Sequence, residues 1–505
     1  MFNPKKRGFL VKAAAVLTAV ALTVGASPSH AQETTYGPES SNVVITKLDQ
    51  PAEAGDAADG TAQTPGGTPI NDVTFEAYKV PLTADEGTEA WQQEIAGTSV
   101  SDASLAVNSA EPAITPLTGT TGADGASDGV INWNDVPRGL YLVRETATPS
   151  GVVSSPDFLL AVPLTNPDDL DTWLDTIYVY PKNSVVSGTK TVENATDFVT
   201  GNIVTWTINA DIPQIRNQDG SFLPTDRFEI WDTLTDTELT LEDGANSVKV
   251  TDPAGLTLGT HYTVDLDTTT VEGSTIAKVV FNSDGRDVLA ASLSDSNEVI
   301  VTLDTIVNTV GEIDNVATVY PSNDSDSSYS TDPVEVRYGN ITLQKDSTQS
   351  DADLAGAEFK VYLSKDAALA KGQDNVKNWM HSEGTWTESD GIWTTGADGK
   401  VLIDGLRYSY FANGEVDNEG PLAQKYWLVE TKALDGHQLL AEPIEFEVTS
   451  FDGSNEYTVT NSANTNGFVL PLTGGTGTAL LTLLGVILLG VVLFVARTRR
   501  NSEAA

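Results

Sequence analysis

The sequence predicts an all-β protein made of tandem antiparallel β-sandwiches, and three observations lead to that prediction. Apolar and polar residues alternate with a period of two along many short segments, as in half-buried strands. Asn, Asp, Gly and Pro separate these segments at turn positions, and only Asp366–Lys371 suggests a short helix. The chain has 505 residues, too many for one typical domain, so we expect about three sandwiches.

The N-terminus has the composition of an export signal. Lys5, Lys6 and Arg7 precede an apolar run from about Ala13 to Ala26, and the small residues of Ser29–Ala31 follow. This apolar run is too short for a membrane span and suits a signal peptide. We therefore expect residues 1–31 to be removed and the mature protein to be extracellular.

The composition of the chain argues against disulfide bonds and against a nucleic-acid partner. The chain has no cysteine, so a secreted form cannot use disulfides and any covalent stapling needs other chemistry. The formal net charge is -43, and such a surface repels nucleic acid and anionic lipid. We expect no nucleic-acid partner.

Two extended stretches, residues 180–184 and 332–340, predict the internal boundaries of the mature chain. They separate an N-terminal Ig-like domain over residues 32–183, a middle one over 184–337 and a C-terminal one over 338–463. The remaining segments are a tether with a pentapeptide motif over 464–476, an apolar span over 477–496 and a basic tail over 497–505.

The C-terminal segments predict attachment to a cell wall. About twenty nearly uncharged residues at helical rise match the ~30 Å hydrocarbon core of a bilayer. The arginines that follow hold that end on the cytoplasmic side. An ordinary membrane anchor explains the span and the tail, but it does not explain the pentapeptide outside the span. The whole arrangement resembles a Gram-positive sorting signal of the LPxTG type, with the motif Leu470, Pro471, Leu472, Thr473 and Gly474.

Two further segments narrow the resemblance. Trp173–Asn183 closely resembles the pilin motif WxxxVxVYPKN, with Ile177 in place of the usual Val. Tyr426–His437 resembles the E-box YxLxETxAPxGY of the same family, with Leu434 in place of Pro and His in place of the final Tyr. A looser copy of the E-box lies at Tyr141–Gly151.

With the sorting signal, three motifs occur in the order expected for a sortase-assembled major pilin, the SpaA/FimA type of fimbrial shaft subunit. The resemblance implies tandem Ig-like domains of the CnaA/CnaB type. It also implies that Lys182 is the nucleophile of polymerisation and attacks the thioacyl bond between a sortase and Thr473 of another subunit. Strand alternation agrees, because Lys182 then faces outward while Asn183 faces the core. The competing interpretation of Lys182 is a solvated lysine in a linker.

The same alternation places single polar groups on otherwise apolar strand faces. A buried lysine, asparagine or carboxylate is costly unless it is paired. Burial lowers the pKa of an amine and raises that of a carboxyl group, so that both can be neutral and the amine nucleophilic. The resemblance implies self-crosslinking through Lys–Asn isopeptide bonds, with loss of ammonia, in three sets: Lys190–Asn315 with Asp232, Lys345–Asn461 with Glu430, and Lys47–Asn183 with Glu145.

Whether the Lys47–Asn183 bond forms stays open, because many first domains of such pilins lack the bond. The alternative for every set is a structural ion pair, or a lysine that reaches solvent at a strand end. Each bond would join the first and last strands of its domain, so that a pulling force bypasses the hydrogen-bond ladders. By analogy with disulfides, links across more than a hundred residues could stabilise by several kcal/mol.

The predicted function is that of a pilus shaft subunit that supports adhesion and is not a turnover enzyme. The implied partners are a pilin-specific class C sortase, a housekeeping sortase, other copies of the chain, accessory pilins and peptidoglycan; no residue identifies a receptor. We expect no cofactor and no metal site. The histidines of the mature chain are scattered, and the acidic run Asn323–Ser328 does not match an EF-hand loop.

Three alternatives compete with this prediction. A monomeric wall-anchored adhesin would need the sorting signal but not Lys182. An accessory pilin at the tip would usually carry a large extra binding domain, and no such insertion is visible in the sequence. A wall-bound hydrolase could use paired carboxylates such as Glu430. The alternation argument, which buries Glu430 beside a lysine, speaks against the hydrolase.

Overall fold

The computed structural model describes residues 37–51, 58–123, 125–217, 220–377, 379–382 and 385–464. The signal peptide predicted over residues 1–31, the pentapeptide, the apolar span and the basic tail all lie outside these residues. Within the described ranges, no helix is both long and apolar enough to span a bilayer.

The first ten strands and two helices form an N-terminal sandwich. They are β1 (Ser40–Thr46), β2 (Leu48–Asp49), β3 (Thr74–Lys79), α1 (Glu89–Gly97), α2 (Val100–Asn108), β4 (Leu117–Thr120), β5 (Val130–Pro137), β6 (Gly139–Ala147), β7 (Val152–Val153), β8 (Phe158–Val162), β9 (Thr176–Val179) and β10 (Lys182–Val185). One layer has the strand orders β5-β1-β9 and β2-β10-β7, and the other β4-β3-β6-β8. Strand β1 runs parallel to β9, and β2 runs parallel to β10.

The next thirteen strands, one helix and two 3₁₀ turns form a middle sandwich. They are β11 (Gly188–Glu193), β12 (Ile203–Asp211), β13 (Ile215–Arg216), β14 (Phe222–Leu223), β15 (Glu229–Thr235), β16 (Leu239–Leu241), the 3₁₀ turn Gly244–Ser247, β17 (Val248–Asp252), β18 (Tyr262–Asp267), β19 (Ser274–Phe281), α3 (Ser283–Ser292), β20 (Glu298–Val307), β21 (Gly311–Asn315), β22 (Ala317–Tyr320), the 3₁₀ turn Ser325–Ser327 and β23 (Tyr329–Ser330). Its layers are β11-β12-β20-β16, with β17 also on β20, and β18-β19-β15-β22-β23.

A C-terminal sandwich follows. Its elements are β24 (Val334–Ser347), β25 (Glu358–Tyr362), α4 (Lys365–Ala370), β26 (Trp379–Ser382), β27 (Thr385–Glu388), β28 (Trp393–Thr394), β29 (Lys400–Arg407), β30 (Phe411–Ala412), β31 (Glu415–Val416), β32 (Tyr426–Lys432), β33 (Ile444–Phe446) and β34 (Glu456–Asn461). One layer is β24-β29, with β34 parallel to β24, and the other is β28-β25-β32-β33. The first of these sheets also contains β21 of the middle sandwich, which pairs with the N-terminal part of β24.

Apolar alternation explains why these strands form sandwiches. Residues at every second position of β1, β12 and β20 are buried, while the intervening residues are partly exposed. Each sandwich has its own core between its layers, around Phe75 in the first, Trp206 in the second and Phe359 in the third. The all-β prediction is confirmed.

The junction between the middle and C-terminal sandwiches is one continuous strand. The N-terminal part of β24 pairs with β21 and packs Val336 and Tyr338 into the middle core. From Tyr338 onward β24 pairs with β29, with a register shift between Gly339 and Asn340, and from Thr342 it also pairs with β34. A side chain at Gly339 would meet the backbone oxygen of Ser450 at 2.1 Å, so glycine permits this crossing.

The sequence prediction of helices was too sparse. Helix α4 matches the predicted segment to within one residue, but α1, α2 and α3 were not predicted. Helix α2 buries only Ala103 and Val107, which is too narrow an apolar stripe to stand out from the sequence. The start of α2 could have been recognised from the sequence, because Ser99 and Asp102 have the spacing of a capping box and form one in the structure.

Candidate functional site

The structure buries the polar residues that alternation had placed on apolar faces. Lys47, Lys190 and Lys345 are all buried, and their side-chain exposure is 0%. The carboxylates and amides of the three predicted sets are buried as well: Glu145, Asp232 and Glu430, with Asn183, Asn315 and Asn461. The alternative of a lysine reaching solvent is therefore wrong for all three sets.

The N-terminal set is a closed hydrogen-bonded cluster. Lys47 lies where β1 passes into β2, and its Nζ donates to Glu145 Oε1 and, at 2.5 Å, to Asn183 Oδ1. The Nδ2 atom of Asn183 donates to Glu145 Oε2 at 2.8 Å. Because β2 pairs with β10 in parallel, Lys47 and Asn183 come from the first and last strands of the sandwich. The structure thus brings together all three residues predicted here.

Burial makes the Lys47 amine easier to deprotonate. Desolvation lowers the pKa of Lys47 from 10.5 to about 8, although the neighbouring Glu145 carboxylate works in the opposite direction. The ring of Phe75 also lies 5.6 Å from Nζ. A larger fraction of this amine is therefore neutral and nucleophilic near neutral pH than for a solvent-exposed lysine.

In the C-terminal set the carboxylate stands between the amine and the amide. Lys345 Nζ is 3.6 Å from Glu430 Oε1, and it donates to the backbone oxygen of Val459 at 2.8 Å. Asn461 Nδ2 donates to Glu430 Oε2 at 3.0 Å. Desolvation lowers the pKa of Lys345. Strands β24 and β34 are parallel neighbours, so this set also joins the first and last strands.

The middle set is less closely connected. Lys190 Nζ donates to Asp232 Oδ2 and lies 5.2 Å from the Trp206 ring, and desolvation lowers the pKa of Lys190. Asp232 is paired with Ala317 across β15 and β22, which puts Asn315 two residues away on the same face. Among the described residues, neither side-chain atom of Asn315 has a hydrogen-bond partner.

One prediction about the middle set was wrong. Asn315 is not on the last strand, because it ends β21, and β22, β23 and the first part of β24 follow it within the same sandwich. The chain therefore crosses the middle core again after the asparagine. The sequence could not show this, since the alternation of β22 continues that of β21 after a single residue.

The pilin-motif lysine lies at the exit of the N-terminal sandwich. Strand β9 ends at Val179, and β10 begins at Lys182, which pairs with Leu48. Lys182 is half-buried, whereas the adjacent Asn183 is 0% exposed, as alternation predicts. The hydroxyl of Tyr180 holds the preceding turn by hydrogen bonds to the backbone of Gln63. Thr473, the predicted acyl partner of Lys182, lies outside the described residues together with the rest of Leu470–Gly474.

One residue of the N-terminal cluster was missed at the sequence level. Ser155 Oγ donates to Glu145 Oε1 at 2.6 Å, and Lys47 Nζ donates to Ser155 Oγ at 3.4 Å. Ser155 lies between β7 and β8, outside any strand, so strand alternation gave no signal for it. Within the part of the chain that the structure describes, no group of three or more acidic or histidine side chains is placed to hold a metal ion.

The sequence is similar to known proteins both in separate segments and along nearly its whole length. Residues 38–184 match the family model of the Gram-positive pilin subunit D1, N-terminal domain, and residues 462–504 match that of the LPXTG cell wall anchor motif. The chain is 29% identical to fimbrial subunit type 1 of Actinomyces viscosus, over 98% of both chains. It is 27% identical to fimbrial subunit type 2 of Actinomyces naeslundii, over 89% of this chain and 88% of that relative.

A solved structure supports the fold. The full-length major pilin SpaD from Corynebacterium diphtheriae superposes with a TM-score of 0.60 at 25% sequence identity, covering 84% of this chain and 97% of that chain. The E-box-like strand β32, the pilin-motif segment and the wall-anchor match occur together in this chain. The chain is therefore a fimbrial subunit of the Gram-positive pilus type, held at the cell surface by an LPXTG cell-wall anchor.

Proposed function

We propose that this protein is the shaft subunit of a covalently polymerised pilus. The observation that carries the proposal is Lys182, a partly exposed amine at the end of the N-terminal sandwich, in a chain that also has an LPXTG motif. A wall anchor needs only the sorting signal, whereas a polymer also needs an acceptor amine. The likeness to a solved major pilin supports the same role.

The joining reaction uses one group from each of two subunits. A class C sortase forms a thioester with the Thr473 carbonyl, and the bond from Thr473 to Gly474 breaks. The amine of Lys182 on another copy attacks that carbonyl, so that an amide forms and the sortase thiol is released. A housekeeping sortase attaches the last subunit to peptidoglycan by the same acyl chemistry. Accessory pilins join at the ends, and the shaft supports adhesion.

The three buried sets are proposed to form Lys–Asn isopeptide bonds within one molecule. The proposed domains are 32–183, 184–337 and 338–463, each with one bond: Lys47–Asn183, Lys190–Asn315 and Lys345–Asn461. The mutual contacts of the N-terminal cluster support this chemistry most directly. Pilins are structural proteins and not turnover enzymes, and each bond forms once in the life of a molecule.

Polymerisation is tested by removing the acceptor amine. In the native bacterium, wild-type chain should give ladders of high mass that survive boiling in SDS, and Lys182→Ala should give only monomer attached to the wall. Lys249→Ala is the matched control, because Lys249 is a surface lysine whose side chain is 60% exposed. Ladders that persist in Lys182→Ala would overturn Lys182 as the acceptor amine. A wild-type chain found only as monomer would indicate a wall-anchored adhesin.

Crosslinking is tested by the intact mass of the mature chain, residues 32–473. Each Lys–Asn bond removes one ammonia, so that two or three losses of about 17 Da each are expected relative to the sequence mass. Fragmentation then assigns each loss to its lysine and asparagine. A mass equal to that of the unmodified sequence would refute the crosslinking proposal, and it would not bear on the polymerisation proposal.

A further inference from the structure

Ser155 contacts both oxygens of the carboxylate in the N-terminal cluster. Its hydroxyl donates to Glu145 Oε1 at 2.6 Å, and its backbone N–H donates to Glu145 Oε2 at 3.3 Å. The same hydroxyl accepts from Lys47 Nζ at 3.4 Å. Two anchors on one carboxylate fix the position of both of its oxygens, because neither oxygen can rotate away without losing a hydrogen bond.

The C-terminal cluster supplies a comparison within the same molecule. Leu440 follows Glu430 by ten positions, as Ser155 follows Glu145, and its backbone N–H also donates to Oε2, at 2.9 Å. Leucine has no hydroxyl, and within the described residues Glu430 Oε1 accepts no hydrogen bond. Lys345 Nζ stands 3.6 Å from that oxygen, whereas Lys47 Nζ donates directly to Glu145 Oε1. A serine hydroxyl thus binds the carboxylate of the N-terminal cluster, and the matching position of the C-terminal cluster has none.

We propose that Ser155 is a positioning residue for the N-terminal crosslink, an inference that rests on the crosslinking function proposed above. Its hydroxyl holds Glu145 so that Oε1 faces the amine of Lys47 while Oε2 faces the leaving nitrogen of Asn183. The contacts of those two oxygens, to Nζ and at 2.8 Å to Nδ2, are the ones that a proton relay between the two nitrogens requires.

The chemical step balances through this carboxyl group. The Nζ lone pair of neutral Lys47 attacks Cγ of Asn183, the Nζ–Cγ bond forms and the Cγ–Nδ2 bond breaks. The step starts from the neutral pair, in which the Glu145 carboxyl group carries its proton on Oε2. Oε2 delivers that proton to Nδ2, which leaves as ammonia, and Oε1 takes up one proton from Nζ. Glu145 ends in its starting charge state. Ser155 keeps its own proton and serves only to hold the relay in place.

The test compares two substitutions of equal shape that differ in the hydroxyl. Mature chains with Ser155→Thr or Ser155→Val are made by cell-free synthesis, sampled over time, quenched in acid denaturant and digested. Mass spectrometry then measures the peptide that joins Lys47 to Asn183. Ser154→Val is the control, because Ser154 lines the same cavity between the N-terminal and middle sandwiches and donates no hydrogen bond to Glu145 in this structure.

We expect Ser155→Thr to form the bond within about threefold of the wild-type rate and Ser155→Val to be slower by at least about tenfold. The Lys345–Asn461 peptide of the same molecules should form at an unchanged rate. Equal rates for Ser155→Thr and Ser155→Val would overturn the positioning role.

Failure of the underlying function would look different. If wild-type chains lack the Lys47–Asn183 peptide at all times while the Lys345–Asn461 peptide is present, the N-terminal crosslink itself is absent. If wild-type chains form the Lys47–Asn183 peptide, and Ser155→Val forms it as fast as Ser155→Thr does, the crosslink stands and only the positioning role of Ser155 is refuted.

Discussion

Three lysine side chains lie in apolar surroundings, where a charged amine is costly. Each is compensated by one carboxylate, and burial nonetheless lowers the pKa of Lys47, Lys190 and Lys345. Such an arrangement is poor as a permanent ion pair, because desolvation offsets most of the Coulombic gain. A covalent bond that removes the charge removes this cost as well.

Lys47 gives a pH dependence that stability measurements can check. Burial lowers the folded pKa of Lys47 to about 8 from its ordinary value of 10.5. Asn183→Ala cannot crosslink there and keeps the amine free, so we expect its Lys47 to retain this lowered pKa. Between these values the unfolded chain binds a proton that the folded chain has lost, so stability rises with pH across this window, by roughly 3 kcal/mol in total. Below pH 8 this contribution is constant.

Chemical denaturation from pH 7 to 10.5 measures this effect. The reference is the double variant Lys47→Met/Asn183→Ala, which retains every other titrating group, and the difference in unfolding free energy between the two variants isolates Lys47. A difference that stays flat over this range would contradict the burial-induced shift.

Glu430 is expected to be required for the C-terminal bond. Glu430→Ala removes the acceptor of Asn461 Nδ2 and the counter-charge of Lys345, so the bond should not form and the intact mass should retain one more ammonia. The unpaired buried amine should also cost about 3–5 kcal/mol of stability. Glu445→Ala is the control, because its carboxylate pairs with Lys425 at the surface. A complete set of ammonia losses in Glu430→Ala would refute the role.

Strand alternation was enough to place the lysines, carboxylates and amides on apolar strand faces, whereas their grouping into crosslinking sets rests on the family resemblance. Alternation failed where chain geometry departs from a strand. Lys47, Asp232 and Glu430 each continue an apolar face, so a period of two identifies them. Ser155 lies in a loop, where no period applies. The sequence indicated residues 332–340 as an extended stretch and a domain boundary. It gave no sign that this stretch continues as one strand into the C-terminal sandwich, through a bulge at Gly339 and Asn340.

The junction between the middle and C-terminal sandwiches is held by more than β24. Asn194 and Asn413 exchange hydrogen bonds, each side-chain oxygen accepting from the backbone N–H of the other residue, at 2.6 and 2.8 Å. Thr200 N–H donates to the backbone oxygen of Gly405, and Arg407 N–H donates to that of Phe198. These contacts predict two sandwiches that move as one body.

Asn194→Ala should loosen this junction. Asn194 is 0% exposed, and its loss leaves the part-buried N–H of Asn413 without its acceptor, at a cost of about 1–3 kcal/mol. Hydrogen exchange should become faster in residues 405–414 while the rate in β20 stays unchanged. The exposed Asn246→Ala serves as the control. Exchange rates in 405–414 equal to those of the wild type would show that β24 alone holds the junction.

Across the whole molecule, the proposed bonds leave one core segment unprotected. A force applied along the pilus would pass from Lys190 through the bond to Asn315, along residues 316–344, and from Lys345 through its bond to Asn461. Strand β22 lies in that interval and pairs with β15 in the middle sandwich. The displaced position of Asn315 therefore exposes β22 and β23 to the applied force.

A single-molecule pulling experiment on the mature chain should detect this segment. Held between Lys182 and residue 464, the wild type should extend in one step as residues 316–344 unravel, by up to about 100 Å. Asn315→Ala should add a further, much longer extension, because the loop from Lys190 is then released as well. A wild-type chain that shows no step before rupture would contradict this force path.

The placement of Lys182 at the exit of the N-terminal sandwich has a consequence for the surface of the fibre. In the proposed polymer, tension enters at Lys182 and runs toward the C-terminus, so residues 37–181 lie outside the path of the applied force as a side module. The helices α1 and α2, inserted between β3 and β4, belong to that module. Such a module can change its loops and outer face without altering the tensile strength of the shaft.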